Sequence, residues 1–351
     1  MSRLITFVEA LREAQAQCLE TDPRVYLLGL CAPGPTGIFG STSGLAERFG
    51  TDRVIDMPAS ENGMTGIALG TSVVGMRPIM IHMRMDFAVL SMEPLVNQAA
   101  KWHYMYGGRM RAPLTVRMIV GRGWGQGPQH SQSLQSWFAH IPGLKVVMPT
   151  TPYDAKGMLI AAVEDDAPVI IVEHRWLYAI KGEVPSEMYR VPLDKARIAR
   201  PGRDITLAAT SHMTLECLHA AELLQQAGVN AEVIDLRSLT PIDSDTLDAS
   251  LRRTGHLIVA DTSHESFGVG AEVLACATER SFTALKAPPK RMGLPFVPTP
   301  TTPALADLYY PRGIDIAGAA LKMLGSTATL PPQPKGPRWL DVPNPEFTGP
   351  Y

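Results

Sequence analysis

Glu61 stands alone in the stretch DMPASENGMTGIALGTSVVG (56–75). Beyond it the run carries no charge, and Gly63, Gly66, Gly70 and Gly75 are interleaved with apolar side chains. Such a segment is expected to be buried, and a buried carboxylate is costly unless a partner satisfies it or it keeps its proton. Glu61 therefore either caps a helix or exchanges a proton with a ligand. His130 is the second candidate. It sits in GPQHSQS, just after the Gly-rich run GRGWGQG (121–127), and a loop histidine among small residues can serve as an acid–base group. A structural histidine with satisfied ring nitrogens is the plainer alternative. Between these two, MIHMRMDF (80–87) carries His82, Arg84 and Phe87. In an alternating strand His82 and Arg84 share a face with Met80 and Asp86, which suits a polar pocket or a solvated edge. Phe87 by itself reads most simply as core.

Several chemistries lack their signatures. GRGWGQG follows a strand pattern, but its spacing is G-x-G-x-G-x-G, so it reads as a tight active-site loop and not as a dinucleotide fingerprint. No Walker A, G-x-S-x-G or H-E-x-x-H sequence occurs. The four cysteines (Cys18, Cys31, Cys217, Cys276) are far apart with no C-x-x-C, which argues against a zinc knuckle or a disulfide framework. A net charge of −2 gives no reason to expect nucleic acid or an anionic membrane as partner. The N-terminal segment is too mixed in polarity for a signal peptide, and no apolar run approaches ~18 residues, so a soluble cytoplasmic protein is expected.

The elements that must position these residues are legible. Strands are expected at 25–30, 53–57, 78–84, 114–120, 144–148 and 168–173, with helices at 5–21, 62–75, 90–104 and 152–165 between them. A second series has strands at 205–210, 231–237 and 256–261 and helices near 213–228, 243–253, 269–282 and 313–324. Such alternation implies mainly parallel sheets with helices on both faces, giving an α/β chain of two doubly wound domains. The first domain is placed at 1–185, a polar linker at 186–202, the second domain at 203–330 and a Pro-rich tail at 331–351. At 351 residues the chain is long enough for two substantial cores.

Taken together, RVIDMPASENGMTGIALG, GPQHSQSLQSWFAHIPGLKVVMPTTPYDAKGML, AEVIDLRSLTPIDSDTL and FVPTPTTPALADLYYP closely resemble the beta subunit of thiamine-diphosphate-dependent 2-oxoacid dehydrogenases, the group of the pyruvate, branched-chain and acetoin enzymes. The resemblance runs from about residue 3 to 326 and implies a pyrimidine-binding transketolase-like domain followed by a transketolase-type C-terminal domain. It implies that Glu61 bonds a ring nitrogen of the cofactor's aminopyrimidine and favours its imino tautomer, that Phe87 stacks on the pyrimidine, and that His130 faces the substrate. The activity implied is decarboxylation of a 2-oxoacid with transfer of the acyl group to a lipoyl acceptor on a separate acyltransferase. A monovalent-cation site, K+ in character, is implied at Leu114, Ala162, Val163 and Asp165.

The family's diphosphate anchor, Mg2+ held by a G-D-G…N motif, finds no GDG in this chain. The chain therefore looks like half an active site, completed by an alpha subunit carrying that motif in an α2β2 heterotetramer. Two departures shift the local charge. Gly29-Leu30-Cys31 stands where the family carries acidic residues, and Ile81 replaces a glutamate beside His82 and Arg84. The more positive field points to a substrate or acceptor more anionic than usual, with Arg84 as its contact. A two-subunit thiamine-dependent acyloin synthase or acyl transferase is the alternative reading, and a non-catalytic scaffold derived from the family is the third.

Overall fold

A computed structural model describes residues 2–123 and 125–331. The Pro-rich tail expected from 331 on lies outside the described residues except for Pro331. Among those residues, one compact unit comprises the chain up to 123 together with Gln129–Leu193, and the other comprises Gly125–Pro128 together with the chain from Asp194 on.

The first unit runs β1 (Ser2–Thr6), α1 (Phe7–Thr21), β2 (Val25–Gly29), α2 (Leu45–Phe49), β3 (Val54–Asp56), α3 (Glu61–Val73), β4 (Arg77–His82), α4 (Met85–Ala88), α5 (Ala100–Met105), β5 (Thr115–Val120), α6 (Gln135–Ala139), β6 (Lys145–Val147), α7 (Pro152–Glu164), β7 (Val169–His174) and β8 (Lys181–Pro185). A π-helical stretch, Glu93–Ala99, precedes α5. Its main strands pair in parallel in the order β6-β7-β5-β4-β2-β3. Every residue of β2, β5 and β7 is buried, as expected of a parallel sheet covered on both faces. β1 and β8 form a separate antiparallel pair that the sequence reading passed over.

One charged network lies inside this core. Arg117 on β5 and Glu173 on β7 are both fully buried and meet in a two-pronged pair at 2.5 and 2.8 Å. Gln15 Oε1 accepts from the same guanidinium at 2.8 Å, and the Tyr178 hydroxyl donates to Glu173 at 2.6 Å. Charges taken this far from water are tolerable only when each is paired and hydrogen-bonded, and here they are.

The second unit holds β9 (Arg197–Arg200), β10 (Ile205–Ala209), α8 (His212–Gln226), β11 (Ala231–Asp235), the short β12 (Ser238–Thr240), α9 (Ser244–Thr254), β13 (Leu257–His264), α10 (Val269–Ser281), β14 (Lys290–Leu294), α11 (Pro303–Tyr309) and α12 (Gly313–Met323). Its sheet has the order β14-β13-β10-β11-β9, parallel except for β9 at the edge. Leu207, Val233, Ala220, Leu224, Ile316 and Ala317 belong to one buried apolar cluster joining the sheet to α8 and α12. The stretch read as linker, 186–202, thus contains a strand. The alternating Arg-Ile-Ala-Arg sequence suits an edge, where charged side chains keep the unpaired side in water.

The helix after β3 also differs from expectation. Only one stripe of α3 is buried (Glu61, Thr65, Ala68, Leu69, Ser72), while Ile67 is 54% and Val74 80% exposed. A run without charges satisfies the condition for burial, but a period of 3.6 residues lets only one face reach the sheet. Among the described residues no helix is long and apolar enough to cross a membrane.

Candidate active site

Three candidate residues each follow the carboxyl end of a strand: Glu61 comes after β3, Phe87 after β4 and His130 after β5. In open parallel sheets this end is where ligands bind. Glu61 opens α3, where the positive helix end favours an acidic side chain. It is only 8% exposed, and its carboxylate has neither a hydrogen bond nor an ion pair among the described residues. Its backbone carbonyl is engaged: Ser91 Oγ donates to it at 3.2 Å and accepts from Thr65 Oγ1 at 2.8 Å. Asn62 adds a bond to the Leu90 carbonyl at 3.4 Å, so the start of α3 is tied to the segment just after Phe87.

His82 and Arg84 are both 2% exposed. The strand ends at His82, so the alternation expected through Asp86 stops there and Arg84 becomes the residue preceding α4. His82 Nε2 lies 3.4 Å from Ser91 Oγ, and burial pushes the imidazole down to about 4, leaving it neutral near pH 7. Arg84 donates to the Gly121 carbonyl at 2.6 Å, and its guanidinium is 5.5 Å from the centre of the Phe39 ring. Arg175 approaches that ring at 4.8 Å, which makes Phe39 a shared aromatic contact for two buried cations.

Phe87 is half-buried on α4, and His130 is exposed in its turn. Their rings meet edge to face, 5.4 Å between centroids with planes 88° apart. The loop carrying His130 is fastened to α4 on the same side. Gln132 donates to Asp86 Oδ1 from its backbone N–H at 3.3 Å and from Nε2 at 2.9 Å, and Leu134 N–H points at Met85 Sδ at 3.1 Å. Sequence reading placed Asp86 on the face of His82 and Arg84 without giving it a role, and it missed Gln132 and Ser91. The signal was adjacency: Asp86 precedes Phe87, and Gln132 is two residues beyond His130.

The four residues read as a cation site lie at the opposite, amino end of the sheet. The Leu114 carbonyl accepts from Val169 at 2.9 Å and that of Ala162 from Asp165 at 3.3 Å. Arg77 at the start of β4 donates to the carbonyls of Val163 and Asp165 at 2.9 and 3.0 Å, and Lys145 pairs with the Asp165 carboxylate at 2.5 Å. Among the described residues no group of three or more His, Cys, Asp and Glu side chains is arranged to hold a metal ion.

Comparison with known proteins decides the family. The profile of the transketolase pyrimidine-binding domain matches residues 3–181, and that of the transketolase C-terminal domain matches residues 194–316. The chain is 40% identical over 340 residues to the beta subunit of acetoin:2,6-dichlorophenolindophenol oxidoreductase of Bacillus subtilis (strain 168), covering 93% of this chain and 99% of that one. It is 37% identical over 321 residues to the pyruvate dehydrogenase E1 component subunit beta of the same organism, covering 91% and 98%. The chain belongs to the transketolase-like family of 2-oxoacid dehydrogenase beta subunits. A solved structure entitled split gene transketolase, inactive beta4 tetramer, shares this beta-subunit fold with a TM-score of 0.75 at 25% identity, over 92% of this chain and 99% of that one. Transketolase from Leishmania mexicana shows the fold alone, with a TM-score of 0.69 at 16% identity, and the beta-subunit chain spans 47% of its length. Within this family frame, Glu61 offers a carboxyl group with no partner among the described residues and Phe87 an aromatic surface, a set suited to a flat heterocycle with basic ring nitrogens.

Proposed function

We propose that this chain is the beta half of a thiamine-diphosphate-dependent 2-oxoacid dehydrogenase (decarboxylating), active only with a separate alpha subunit. The observation that carries the reading is Glu61, a residue only 8% exposed at the start of α3 whose carboxylate has no partner among the described residues. The packing around α3 makes no use of this carboxylate, which leaves it able to bond a ring nitrogen brought by a cofactor. When bound, the cofactor supplies the nucleophilic carbon needed to add to a 2-oxoacid and release carbon dioxide.

This chain's residues contribute proton placement and shape. Glu61 holds a proton at the aminopyrimidine nitrogen. Phe87 gives the heterocycle a stacking surface and keeps water from one side of it. His130, exposed beside Phe87, orients or protonates the substrate or the acyl acceptor. The alpha subunit would hold Mg2+ and the diphosphate through its G-D-G…N motif, in an α2β2 heterotetramer, and the acceptor would be the lipoyl group of an acyltransferase. The relative entitled an inactive beta4 tetramer supports the dependence on a second subunit. A potassium ion at Leu114, Ala162, Val163 and Asp165 would share with Arg77 two carbonyls that each keep a second lone pair.

The test is to purify the chain with its co-purifying partner and follow 2-oxoacid-dependent reduction of a dye acceptor. The expected result is about one thiamine diphosphate per αβ pair and activity lost by at least a hundredfold in Glu61→Gln, with the assembly intact. A complex that binds no cofactor, or a Glu61→Gln complex as active as the parent, would overturn the reading.

A further inference from the structure

The His130 loop joins β5 to α6. It follows a glycine-rich run, and its turn Pro128-Gln129-His130 is exposed to solvent. A histidine so placed depends for its position on what holds the residues beside it. The structure supplies such a hold from α4. Asp86 Oδ1 accepts two hydrogen bonds from a single residue, Gln132, one from its main chain and one from its side-chain amide. The next residue along α4, Phe87, is the one whose ring meets His130. Two adjacent residues of one short helix therefore bear on the imidazole: Phe87 by contact and Asp86 by anchoring the chain two residues further on.

The second oxygen of Asp86 sharpens the point. Oδ2 is buried and has no hydrogen-bond partner among the described residues. Leaving a carboxylate oxygen in that condition costs stability, and packing alone does not require an acid at this position. The position is used for what Oδ1 does, which is to accept both Gln132 donors.

We propose that Asp86 is the positioning residue of the His130 loop, holding the imidazole edge-on to Phe87 through Gln132. The inference rests on the reading of His130 as the group that faces substrate or acceptor. Two measurements on the assembled complex separate the clamp from that reading. In hydrogen exchange, Asp86→Ala is expected to speed exchange in the segment around Gln132 and Leu134 at least tenfold. Asp86→Asn, which keeps an acceptor at Oδ1, restores most of the protection. Unchanged protection in Asp86→Ala would overturn the clamp, whatever the enzyme's activity. In kinetics, Asp86→Ala is expected to lower kcat by ten- to a hundredfold with KM within threefold of the parent, and Asp86→Asn to recover most of that loss. In a His130→Gln background, with its residual rate measured at raised enzyme concentration, Asp86→Ala should cost less than twofold more. Loosened exchange with full kcat, or losses that multiply in the double variant, would show that Asp86 does not act through His130.

Discussion

The imidazole of His130 meets the ring of Phe87 edge to face at 5.4 Å, although the two lie on different elements, a turn after β5 and a helix after β4. A perpendicular ring contact occupies at most one face of Phe87, and the half-buried ring keeps exposed area for stacking. Phe87→Ala is therefore expected to weaken thiamine diphosphate binding roughly tenfold, from loss of a stacking contact worth about 0.5–1.5 kcal/mol plus some apolar burial. Phe87→Tyr should stay near the parent. Calorimetric titration of the assembled complex measures both, and an unchanged Kd in Phe87→Ala would count against the stacking role.

Gly121 is a position where only glycine fits. Its φ of +96° lies in the left-handed region, and an added Cβ would come within 2.6 Å of the buried His174 ring. The same residue presents the carbonyl that Arg84 binds. Gly121→Ala combines backbone strain with a clash against a packed ring, so a loss of at least about 2 kcal/mol is expected. Gly228 has a φ of +81° with open space around its missing Cβ, so Gly228→Ala should cost about 1 kcal/mol. Urea unfolding of the two variants side by side gives the comparison. Equal losses would mean that His174 yields to the new methyl group.

The sequence carried the parallel strands well because most are short, largely apolar runs, and both faces of such strands are buried. Expected and observed bounds for β5, 114–120 and Thr115–Val120, differ by a single residue. Elements whose partners are distant in sequence were hidden: β1 pairs with β8, and no local pattern in Ser2–Thr6 reveals that. At the site, Glu61 was legible because a lone charge interrupts an otherwise uncharged run. The role of Asp86 was not, since nothing in its neighbours Met85 and Phe87 reveals a partner until Gln132, 46 positions away, is seen to bind it. Arg84 and His82 were visible as oddities in an apolar strand, but their partners, the Gly121 carbonyl and Ser91, are set by tertiary structure alone.

The buried Arg117–Glu173 pair predicts an asymmetry between single and double replacement. Removing one member leaves an uncompensated charge at a fully buried position, at a cost of about 3–5 kcal/mol. Glu173→Gln should fall in that range, the more so because the amide keeps one acceptor oxygen where the carboxylate serves Arg117 and Tyr178 with two. Combining Glu173→Leu with Arg117→Met removes both charges together and should recover a large part of the loss. Denaturant unfolding of the two variants is the check. A double variant no more stable than Glu173→Gln would show that the network, and not charge compensation, holds β5 to β7.

His82 gives the first unit a pH dependence whose sign follows from its burial. Desolvation holds its imidazole at about 4 in the folded chain, against an ordinary 6.5. The folded state therefore refuses a proton that the unfolded chain accepts. The stabilisation associated with neutral His82 is complete above pH 6.5, declines as the pH falls, and is gone once the folded-state value near 4 is passed. The full span is on the order of 3 kcal/mol, of which about 2 kcal/mol is lost by pH 5. His82→Asn keeps a polar group that can face Ser91 but does not titrate in this window. The stability difference between pH 7.5 and pH 5, from urea unfolding of parent and variant, should be smaller in His82→Asn by about 2 kcal/mol. All other titrating groups are common to the two proteins, so parallel curves would mean that water reaches the His82 ring and that the imidazole charges in place.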